Sequence, residues 1–378
     1  MRFAVIPLLL LASSHLHAQA PSSAIPAAPA IAAKSWLLYD FDSGQTLAAS
    51  KPLERVEPAS LTKLMTAYLV FSAIKQKKIG ADQQAKVTER AWKAEGSRMF
   101  IEPNKPVTVG ELMRGMIVQS GNDACIALAE TVAGSEEAFA EAMNREAQRL
   151  GMKNTHFVNS TGLAHPQHYS TAQDLVVLAA AVIRDFPEHY ALYSQRQFRY
   201  NNITQMNRNR LLWSDPTVDG VKTGYTENAG YCLVSSARRG ERRLISAVLG
   251  AASESARAAE SQKLLNHGFQ AYDGVRLYAA NHPVTTIRVW KGTANQLTAG
   301  FLRDFQVALP KGGSDKLKAT IESVQPLLAP VRAGERVGTL KLALDGRPYG
   351  EFPVVALEDV PVAGILGRGW DAIRLFFQ

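Results

Sequence analysis

Apolar positions in the middle of the chain follow the period of α-helices. Residues 60–78 (SLTKLMTAYLVFSAIKQKK) are mostly apolar, Pro58 precedes them, and three lysines lie near their end before Gly80. A preceding proline, basic residues in the last turn and a following glycine are ordinary helix boundaries. The pattern predicts a buried or amphipathic helix there, and further helices over residues 109–133 (interrupted near Gly121), 136–150, 171–184 and 255–272.

Strand-like segments lie on both sides of this helical region. The sequence WLLYDFDSGQTL, within residues 35–47, predicts two strands joined by a turn at Asp42-Ser43-Gly44. Three more strands are predicted over residues 218–223, 232–237 and 243–249, with turns at Glu227-Asn228 and Arg239-Gly240. Strands at both ends of a helical stretch favour an α/β (α+β) domain over residues 34–275, in which one sheet packs against a helical cluster.

The pattern changes after about residue 280, where short strand-like runs replace the helical period. These runs cover residues 287–290, 305–309, 317–321 and 337–344. Asp345-Gly346 is a hairpin turn signal, and glycine and proline interrupt the remaining sequence. We therefore expect residues 283–360 to form a separate all-β domain.

The first 33 residues differ from both domains. Residues 1–20 begin with a positive charge at Arg2, continue with an apolar run over residues 3–12 and end in small residues, with cleavage after Ala18 favoured over cleavage after Ala20. This is the pattern of a secretory signal peptide. Residues 21–33 (PSSAIPAAPAIAA) are rich in proline and alanine and predict a flexible lead-in. The sequence therefore predicts an exported protein.

The last segment, residues 362–378, predicts an amphipathic helix. Within GILGRGWDAIRLFFQ one helical face carries four apolar side chains, namely Leu366, Trp370, Ile373 and Phe377. Such a helix could dock on its own protein or lie in a membrane interface, where aromatic rings enter the headgroup boundary and arginines meet anionic lipid. The Gly/Pro-rich approach to this segment favours the membrane, so we expect peripheral attachment.

Composition narrows the class of protein and its partners. Of 378 residues, 46% are hydrophobic and 20% charged, which are globular proportions. The 42 basic and 34 acidic residues give a net charge of +8 that is spread along the chain, so a small carboxylate or a lipid headgroup is a more suitable partner than nucleic acid. The sequence predicts no particular oligomeric state.

Cysteines and histidines offer little sign of a disulfide framework or a metal site. Cys125 and Cys232 fit two small buried core residues better than a disulfide, although an exported protein could pair them. Only His165 and His168 have a ligand-like spacing, and no carboxylate or thiol cluster accompanies them. We therefore expect no metal and no organic cofactor.

One Ser-x-x-Lys motif lies where it could form a nucleophile and its base. Ser60 is predicted in the first turn of its helix, where backbone N–H groups lack partners and can stabilise an oxyanion. Lys63 lies on the same face, and burial in this apolar helix would lower its pKa and make the amine a base. A second motif, Ser72 to Lys75, falls in mid-helix and is interpreted as structural.

Two further motifs follow in the chain. Ser120 and Asn122 would point apart on one helix, so they can share a pocket only if the chain turns at Gly121; alternatively Asn122 simply caps the next helix. Lys222-Thr223-Gly224 closes a strand-like run. If that strand is an edge strand it could pair with an extended peptide, Gly224 would allow close approach, and Lys222 and Thr223 would meet a carboxylate. An ordinary strand ending in a turn remains an alternative.

Together the three motifs resemble the S-x-x-K, S-D-N and K-T-G set of the penicillin-binding and serine β-lactamase superfamily. The similarity extends to PASLTKLMTAYLV, LMRGMIVQSGNDACIALAE, MNRNRLLW and VDGVKTGYTENAGYCLVSSA, and to the change to a β domain. From about residue 34 to the C-terminal helix, the chain resembles low-molecular-mass D-Ala-D-Ala carboxypeptidases of the type-5 penicillin-binding protein group. That resemblance implies a catalytic domain with an antiparallel sheet and a helical cluster.

The resemblance also implies a role for each matching residue. Ser60 would form an acyl-enzyme with the substrate, Lys63 would be the general base, and Ser120 would relay a proton to the leaving D-alanine. The residues implied to bind the peptide and its terminal carboxylate are Asn122, Lys222, Thr223, Gly224 and Arg208. The backbone N–H groups of Ser60 and Tyr225 would form the oxyanion hole. Tyr225 and Thr161-Gly162-Leu163 depart from histidine-containing versions in some relatives, which bears on rate and substrate preference.

The implied activity is removal of the terminal D-alanine from peptidoglycan pentapeptide stems at the periplasmic face of the bacterial inner membrane. A class A β-lactamase should carry a deacylating glutamate, but residues 155–173 contain no Glu or Asp, so β-lactams should acylate Ser60 and leave slowly. An endopeptidase that cuts cross-links is the main alternative, because it uses the same machinery. A non-enzymatic scaffold is disfavoured, since a binding module needs no activated nucleophile.

Overall fold

The computed structural model describes residues 25–364, so the predicted signal peptide and residues 365–378 of the predicted membrane helix lie outside the described residues. The first part of the chain forms two strands and seven helices: β1 (Ser35–Asp40), β2 (Gln45–Ser50), α1 (Lys63–Lys75), α2 (Glu89–Trp92), α3 (Val109–Arg114), α4 (Asn122–Ala133), α5 (Glu136–Leu150), α6 (Ala172–Asp185) and α7 (Pro187–Tyr190). The next part contains β3 (Gln197–Tyr200), β4 (Ile203–Met206), α8 (Leu211–Ser214), β5 (Val218–Thr226), β6 (Gly230–Arg239), β7 (Arg242–Ala251) and α9 (Glu254–Ala271).

A five-stranded antiparallel sheet, in the order β2-β1-β7-β6-β5, is the centre of the first domain. Strands β1, β5, β6 and β7 are largely buried on both faces because successive side chains alternate between two cores, whereas β2 is only partly buried. On β1, Leu37 joins the core formed with α1, α4 and α6, whereas Leu38 joins the core under α9. The sheet thus lies between α9 and the helical cluster, and β5 is left at its edge.

Polar caps define where several of these helices begin. The side chains of Ser135, Thr171 and Ser253 each accept a hydrogen bond from the backbone three residues ahead, at the starts of α5, α6 and α9. Helix α1 differs because it is buried around most of its surface, as expected of a helix that is apolar on nearly all sides. It therefore forms the centre of the helical cluster.

The second domain is built from strands: β8 (Tyr272–Tyr278), β9 (Pro283–Trp290), β10 (Gln296–Gly300), β11 (Phe305–Pro310), β12 (Leu317–Ser323), β13 (Leu327–Leu328), β14 (Arg336–Leu344) and β15 (Arg347–Ala356). Six of them form a sheet in the order β12-β14-β15-β10-β9-β13, and β8 pairs with β11. Its core is separate from those of the first domain. The Asp345-Gly346 hairpin turn is confirmed, since both residues have positive φ.

The predicted elements agree with the structure except at a few places. The helices over 136–150, 171–184 and 255–272 and the five strands of the first sheet are confirmed within a few residues. The hairpin of β3 and β4 and strands β8, β10, β13 and β15 were not predicted. The first domain was expected to end at residue 275, within strand β8. Since β8 pairs with β11, the whole of β8 belongs to the second domain.

The lead-in is only partly free of the first domain. Ala32 N–H donates to the carboxylate of Glu260, and Lys263 Nζ donates to the carbonyl of Ala30 at 3.0 Å. Ile31 and Ala33 pack against the core under α9. The expectation of a flexible segment is therefore wrong for residues 30–33, which lie against α9. Among residues 25–364, no helix is both long and apolar enough to cross a bilayer.

Candidate active site

Ser60 lies in a single 3-10 turn, Ala59–Thr62, that leads directly into α1. Lys63 is the first residue of α1, and its Nζ lies 3.0 Å from Ser60 Oγ. The three-residue spacing places both side chains on the same side of the turn, as predicted. The two motif residues therefore meet as a nucleophile and a candidate base.

Lys63 is enclosed by protein, with only 1% of its surface exposed. Its Nζ also donates to Asn122 Oδ1 at 2.7 Å and to the carbonyl of Thr161 at 2.6 Å. Burial lowers the pKa of Lys63 to about 8, so the neutral amine is accessible near neutral pH. A neutral amine keeps two N–H groups for Asn122 and Thr161, which directs its lone pair at Ser60.

Ser120 reaches the same pocket through an irregular turn between two helices. A π-helical segment, Gly115–Gln119, follows α3, and Ser120 then adopts a left-handed conformation with φ of 67°. Because of this turn Ser120 and Asn122 do not point apart as they would on one continuous helix. Ser120 contacts Lys222 and Asn122 contacts Lys63, two lysines close enough for the charge of Lys63 to lower the pKa of Lys222. Lys222 Nζ donates to Ser120 Oγ at 2.9 Å, so the second and third motifs are in direct contact.

The capping interpretation of Asn122 is wrong. The N-cap of α4 is Gly121, and no side chain caps this helix. The amide of Asn122 instead accepts from Lys63 and donates to the carbonyl of Glu95 at 2.6 Å. The adjacent Asp123 is not the N-cap residue either. Its carboxylate accepts hydrogen bonds from the backbone N–H groups of residues 99–101 and of Ala124. Asn122 is thus free to orient Lys63.

The third motif lies on β5, the edge strand of the sheet. Only 3% of the surface of Lys222 is exposed. Burial, together with the nearby charge of Lys63, holds the pKa of Lys222 well below the usual range of a lysine. A bound carboxylate would relieve this unfavourable clustering of positive charge. Gly224 has a role that the sequence did not suggest: a Cβ there would lie 3.1 Å from the carbonyl oxygen of Pro58. The glycine lets β5 pack against the turn that carries Ser60.

A cleft of about 540 Å³ lies beside these residues. Asn122, Thr223 and Gly224 line it, together with Arg208, whose side chain is exposed on the loop before α8. Tyr225 is also exposed and lies in the lining, so β5 presents residues 223–225 to whatever occupies the cleft. Of the predicted carboxylate-binding residues, Thr223 and Arg208 therefore line one opening, whereas Lys222 is buried next to Thr223 and is not part of the lining.

Several contributing residues were not predicted. Arg257 on α9 is nearly fully buried, lines the cleft and donates to the carbonyl of Gly224 at 3.2 Å. Thr161 contributes only its backbone carbonyl, which no side-chain motif could reveal. The one sequence signal for Arg257 is its position as a single arginine among serines and alanines in the first turns of α9.

Residues interpreted as structural remain outside the site. Ser72 Oγ accepts from Gln76, and Lys75 Nζ donates to the carbonyl of Asp185. Cys125 and Cys232 are both free and buried, as expected of core residues. The region that the structure describes holds no group of three or more His, Cys, Asp or Glu side chains placed to bind a metal ion.

The chemistry of this site and the fold around it define a serine acyl-transfer enzyme of the penicillin-binding class. The chain belongs to the D-alanyl-D-alanine carboxypeptidase family, because the profile of that family matches residues 22–253. The profile of the penicillin-binding protein 5 C-terminal domain matches residues 272–362. These matches confirm the family, the fold and the enzyme class that the sequence motifs implied.

Individual relatives agree with this assignment. D-alanyl-D-alanine carboxypeptidase DacC of Escherichia coli is 42% identical over 359 residues, which cover 93% of this chain and 90% of that protein. The crystal structure of penicillin-binding protein 5 from Haemophilus influenzae superposes with a TM-score of 0.84 at 40% identity, covering 89% of this chain and 99% of that one. Penicillin-binding protein D2 of Listeria monocytogenes in its ampicillin-bound form has a TM-score of 0.59 at 31% identity, covering 63% and 98%.

Proposed function

We propose that this enzyme removes the terminal D-alanine from peptidoglycan pentapeptide stems through a Ser60 acyl-enzyme. The observation that carries the proposal is the contact of a buried, pKa-lowered Lys63 amine with Ser60 Oγ at 3.0 Å. A serine hydroxyl becomes a nucleophile only when a base removes its proton. A solvated lysine could not do this near neutral pH, whereas Lys63 can.

The substrate binds through its terminal carboxylate. Thr223, Arg208 and Arg257 line one cleft, and Lys222, which contacts Ser120 and the carbonyl of Thr223, adds a buried amine beside it. Clustered cations in a partly enclosed site attract an anion and would reject a peptide that continues beyond the carboxylate position. The peptide backbone lies along β5, whose outer edge has no neighbouring strand among the described residues.

Acylation forms an ester at Ser60 Oγ, breaks the amide C–N bond to the terminal D-alanine and carries one proton, in net, from Ser60 to the departing amine. Neutral Lys63 accepts the Ser60 proton while Oγ attacks the carbonyl carbon of the penultimate D-alanine, and the backbone N–H groups of Ser60 and Tyr225 stabilise the oxyanion. Ser120, in contact with Lys222 at 2.9 Å, passes a proton to the departing amine of D-alanine as the amide C–N bond breaks. The proton that Lys63 accepted then replaces the one that Ser120 gave, so Lys63 returns to its neutral form. Water then hydrolyses the ester, which regenerates Ser60 and releases the tetrapeptide stem.

β-Lactams acylate Ser60 by the same step and leave slowly. The loop between the second and third motifs has no carboxylate over residues 155–173 to activate water. Glu136, a buried carboxylate that touches this loop, is committed, since it accepts from Ser160 Oγ at 2.6 Å and pairs with Arg90 at 2.7 Å. The site therefore suits a target of β-lactams rather than an enzyme that destroys them.

Product analysis with two substrates tests the proposal. The full chain is incubated separately with a muramyl pentapeptide and with a cross-linked muropeptide dimer. The products are separated by chromatography and identified by mass spectrometry. We expect free D-alanine and a tetrapeptide from the first and much slower cleavage of the second. Cleavage of the dimer without release of D-alanine would establish an endopeptidase instead. Covalent penicillin labelling with neither product would indicate the scaffold.

The enzyme acts outside the cytoplasm, at the periplasmic face of the inner membrane. The signal-like pattern of residues 1–20 supports export, and the amphipathic pattern within residues 362–378 supports peripheral attachment to anionic lipid. Val362 pairs with Gly292 in the β domain, so an attachment segment would begin just beyond it. The β domain therefore lies between the catalytic domain and the proposed anchor.

A further inference from the structure

Two large aromatic side chains are exposed close to the active-site cleft. Trp92, at the end of α2, is 42% exposed, and Phe100 is 40% exposed. Both line a second cavity of about 500 Å³, together with Arg98, Ile101, Glu102 and Pro103. Exposed aromatic side chains that share a concave surface with a few charged groups are typical of a ligand site.

The outward position of Phe100 is built into the backbone. Phe100 has a φ of 69°, a left-handed conformation that bulky residues rarely adopt, while Met99 and Ile101 on either side are buried. The fully buried carboxylate of Asp123 accepts the N–H groups of Met99, Phe100 and Ile101 at 2.9, 2.8 and 3.2 Å. Three hydrogen bonds thus hold a strained segment that presents one aromatic ring to solvent, which indicates a functional rather than a packing role.

This second cavity adjoins the active-site cleft. Arg98 and Phe100 line both cavities. The Arg98 guanidinium lies 5.3 Å from the centre of the Phe100 ring, and the Arg98 carbonyl accepts from Gln205 at 2.9 Å. Glu102 accepts from Asn201 at 3.0 Å, so the rim of the cavity is held by the β3–β4 hairpin. A molecule that fills the cleft can therefore extend over the two rings.

The chemistry of the proposed substrate suggests what reaches this cavity. Four residues of the stem precede the terminal D-alanine, and in an extended form they span about 14 Å. A sugar of the glycan strand is attached at the far end of the stem. The C–H groups of a sugar ring pack on an aromatic face, while its hydroxyl and amide groups need polar partners such as Arg98 and Glu102.

We propose that Trp92 and Phe100 form a platform that binds the amino-sugar ring carrying the stem peptide. This inference rests on the proposed function, because the cleft must first hold the stem. It makes the enzyme selective for stems that are still attached to glycan. The platform supplies substrate affinity and takes no part in the chemistry at Ser60.

Two substrates that differ only in the sugar test the platform. D-alanine release is measured from a muramyl pentapeptide and from the same pentapeptide without sugar, for the full chain and its variants. Trp92→Ala and Phe100→Asn remove a ring, and asparagine tolerates the left-handed backbone at residue 100. Trp92→Tyr keeps an aromatic face. Trp213→Ala, at a similarly exposed tryptophan that lines neither cavity, is the matched control.

We expect the unaltered enzyme to prefer the muramyl substrate in kcat/KM, and Trp92→Ala and Phe100→Asn to reduce that preference about five- to tenfold. Rates on the sugar-free pentapeptide should be unchanged in Trp92→Ala, whose ring lies outside the active-site cleft, and Trp92→Tyr and Trp213→Ala should keep the preference. Equal losses on both substrates, or no preference in the unaltered enzyme, would overturn the inference. If neither substrate releases D-alanine, the proposed function fails, and calorimetric binding of the two peptides to Ser60→Ala protein still decides whether the platform binds sugar.

Discussion

At the scale of single residues, the site shows that environment rather than motif decides chemistry. Ser60 with Lys63 and Ser72 with Lys75 share one spacing, the first pair where the 3-10 turn leads into α1 and the second pair at the end of α1. Lys63 is enclosed and its pKa is lowered to about 8 by burial, whereas Lys75 is exposed at the end of α1. Only the first pair can supply a neutral amine to a hydroxyl near neutral pH.

Removing the Lys63 amine tests this difference. We expect Lys63→Ala to lower the rate of Ser60 acylation by penicillin at least about a thousandfold, because general base catalysis is lost. In the unaltered enzyme the base is the neutral amine, so the rate should rise with pH and level off above about 8. Stopped-flow acylation between pH 5 and 10 measures both effects. Lys75→Ala is the control, and an equal loss in that variant would disprove the assignment of the base.

At the scale of elements, the loop over residues 158–168 holds the nucleophile turn in place. Thr66 Oγ1 donates to the carbonyl of Ser160 at 2.6 Å, and Thr62 Oγ1 bonds His168 Nε2 at 2.8 Å. The carbonyl of Thr161, from the same loop, accepts from Lys63. The loop therefore fixes both the position of α1 and the orientation of the base.

Gly162 shows how closely this loop meets the nucleophile turn. It has a φ of +86°, and a Cβ there would overlap the carbonyl of Ala59. We expect Gly162→Ala to slow acylation by about a hundredfold or more and to destabilise the fold by several kcal/mol. Gly151→Ala has a similar φ of +80° but meets no atom within 4 Å, so it should cost only about 1 kcal/mol. Thermal unfolding and penicillin acylation of both variants check this, and equal effects would contradict it.

His168 makes the stability of this loop depend on pH. Its Nδ1 accepts the Val158 N–H at 3.2 Å, so Nε2 carries the proton given to Thr62, and the ring must be neutral. Burial lowers its pKa to about 4, below the value near 6.5 of an unfolded chain. The unfolded state therefore binds the extra proton first, and the contribution present above pH 6.5 is lost as the pH falls towards 4.

The loss from His168 should reach about 3 kcal/mol in the free energy of unfolding. His168→Gln can keep both hydrogen bonds without titrating, so it should flatten the decline between pH 6.5 and 4. The exposed His165 provides the control variant His165→Gln, which should leave the decline unchanged. Urea unfolding across this pH range measures the free energy of unfolding of each variant. An unchanged decline of that free energy with pH in His168→Gln would show that other groups cause it.

At the scale of the whole molecule, catalysis and attachment are assigned to different parts of the chain. Every residue proposed to act on the substrate lies in the first domain, and the β domain has its own core. The domains touch where the Ala308 N–H donates to Gln45 Oε1 at 2.7 Å and where Tyr272 donates to the carbonyl of Leu47 at 3.1 Å. With the proposed attachment beyond residue 364, the β domain would hold the catalytic domain away from the attached surface.

Deleting residues 365–378 tests the proposed attachment. This deletion leaves the pairing of Val362 with Gly292 intact, so both domains should fold. We expect the shortened enzyme to leave the membrane fraction and to release D-alanine at an unchanged rate. Fractionation of cells and sedimentation with anionic vesicles measure the membrane association of the shortened enzyme. Continued sedimentation of the shortened enzyme would place the attachment elsewhere.

The sequence predicts the three motifs because their residues act through local spacing and distinctive side chains. It does not predict the carbonyl of Thr161, the buried charge of Arg257 or the hydrogen bond of His168, because each becomes meaningful only through a contact made by the folded chain. Strand β15 was missed for a local reason: Pro348 and Pro353 lower its strand propensity. The structure accommodates Pro348 beside an irregularity in its pairing with β14.

Release of D-alanine by the unaltered enzyme beside Ser60→Ala tests the central claim most directly. Both proteins are incubated with the muramyl pentapeptide, and the intact mass of each is also measured by mass spectrometry after exposure to penicillin. The account predicts turnover and one covalent adduct on Ser60 in the unaltered enzyme, with release at least about a thousandfold slower and no adduct in Ser60→Ala. Release of D-alanine by Ser60→Ala at a comparable rate would contradict it.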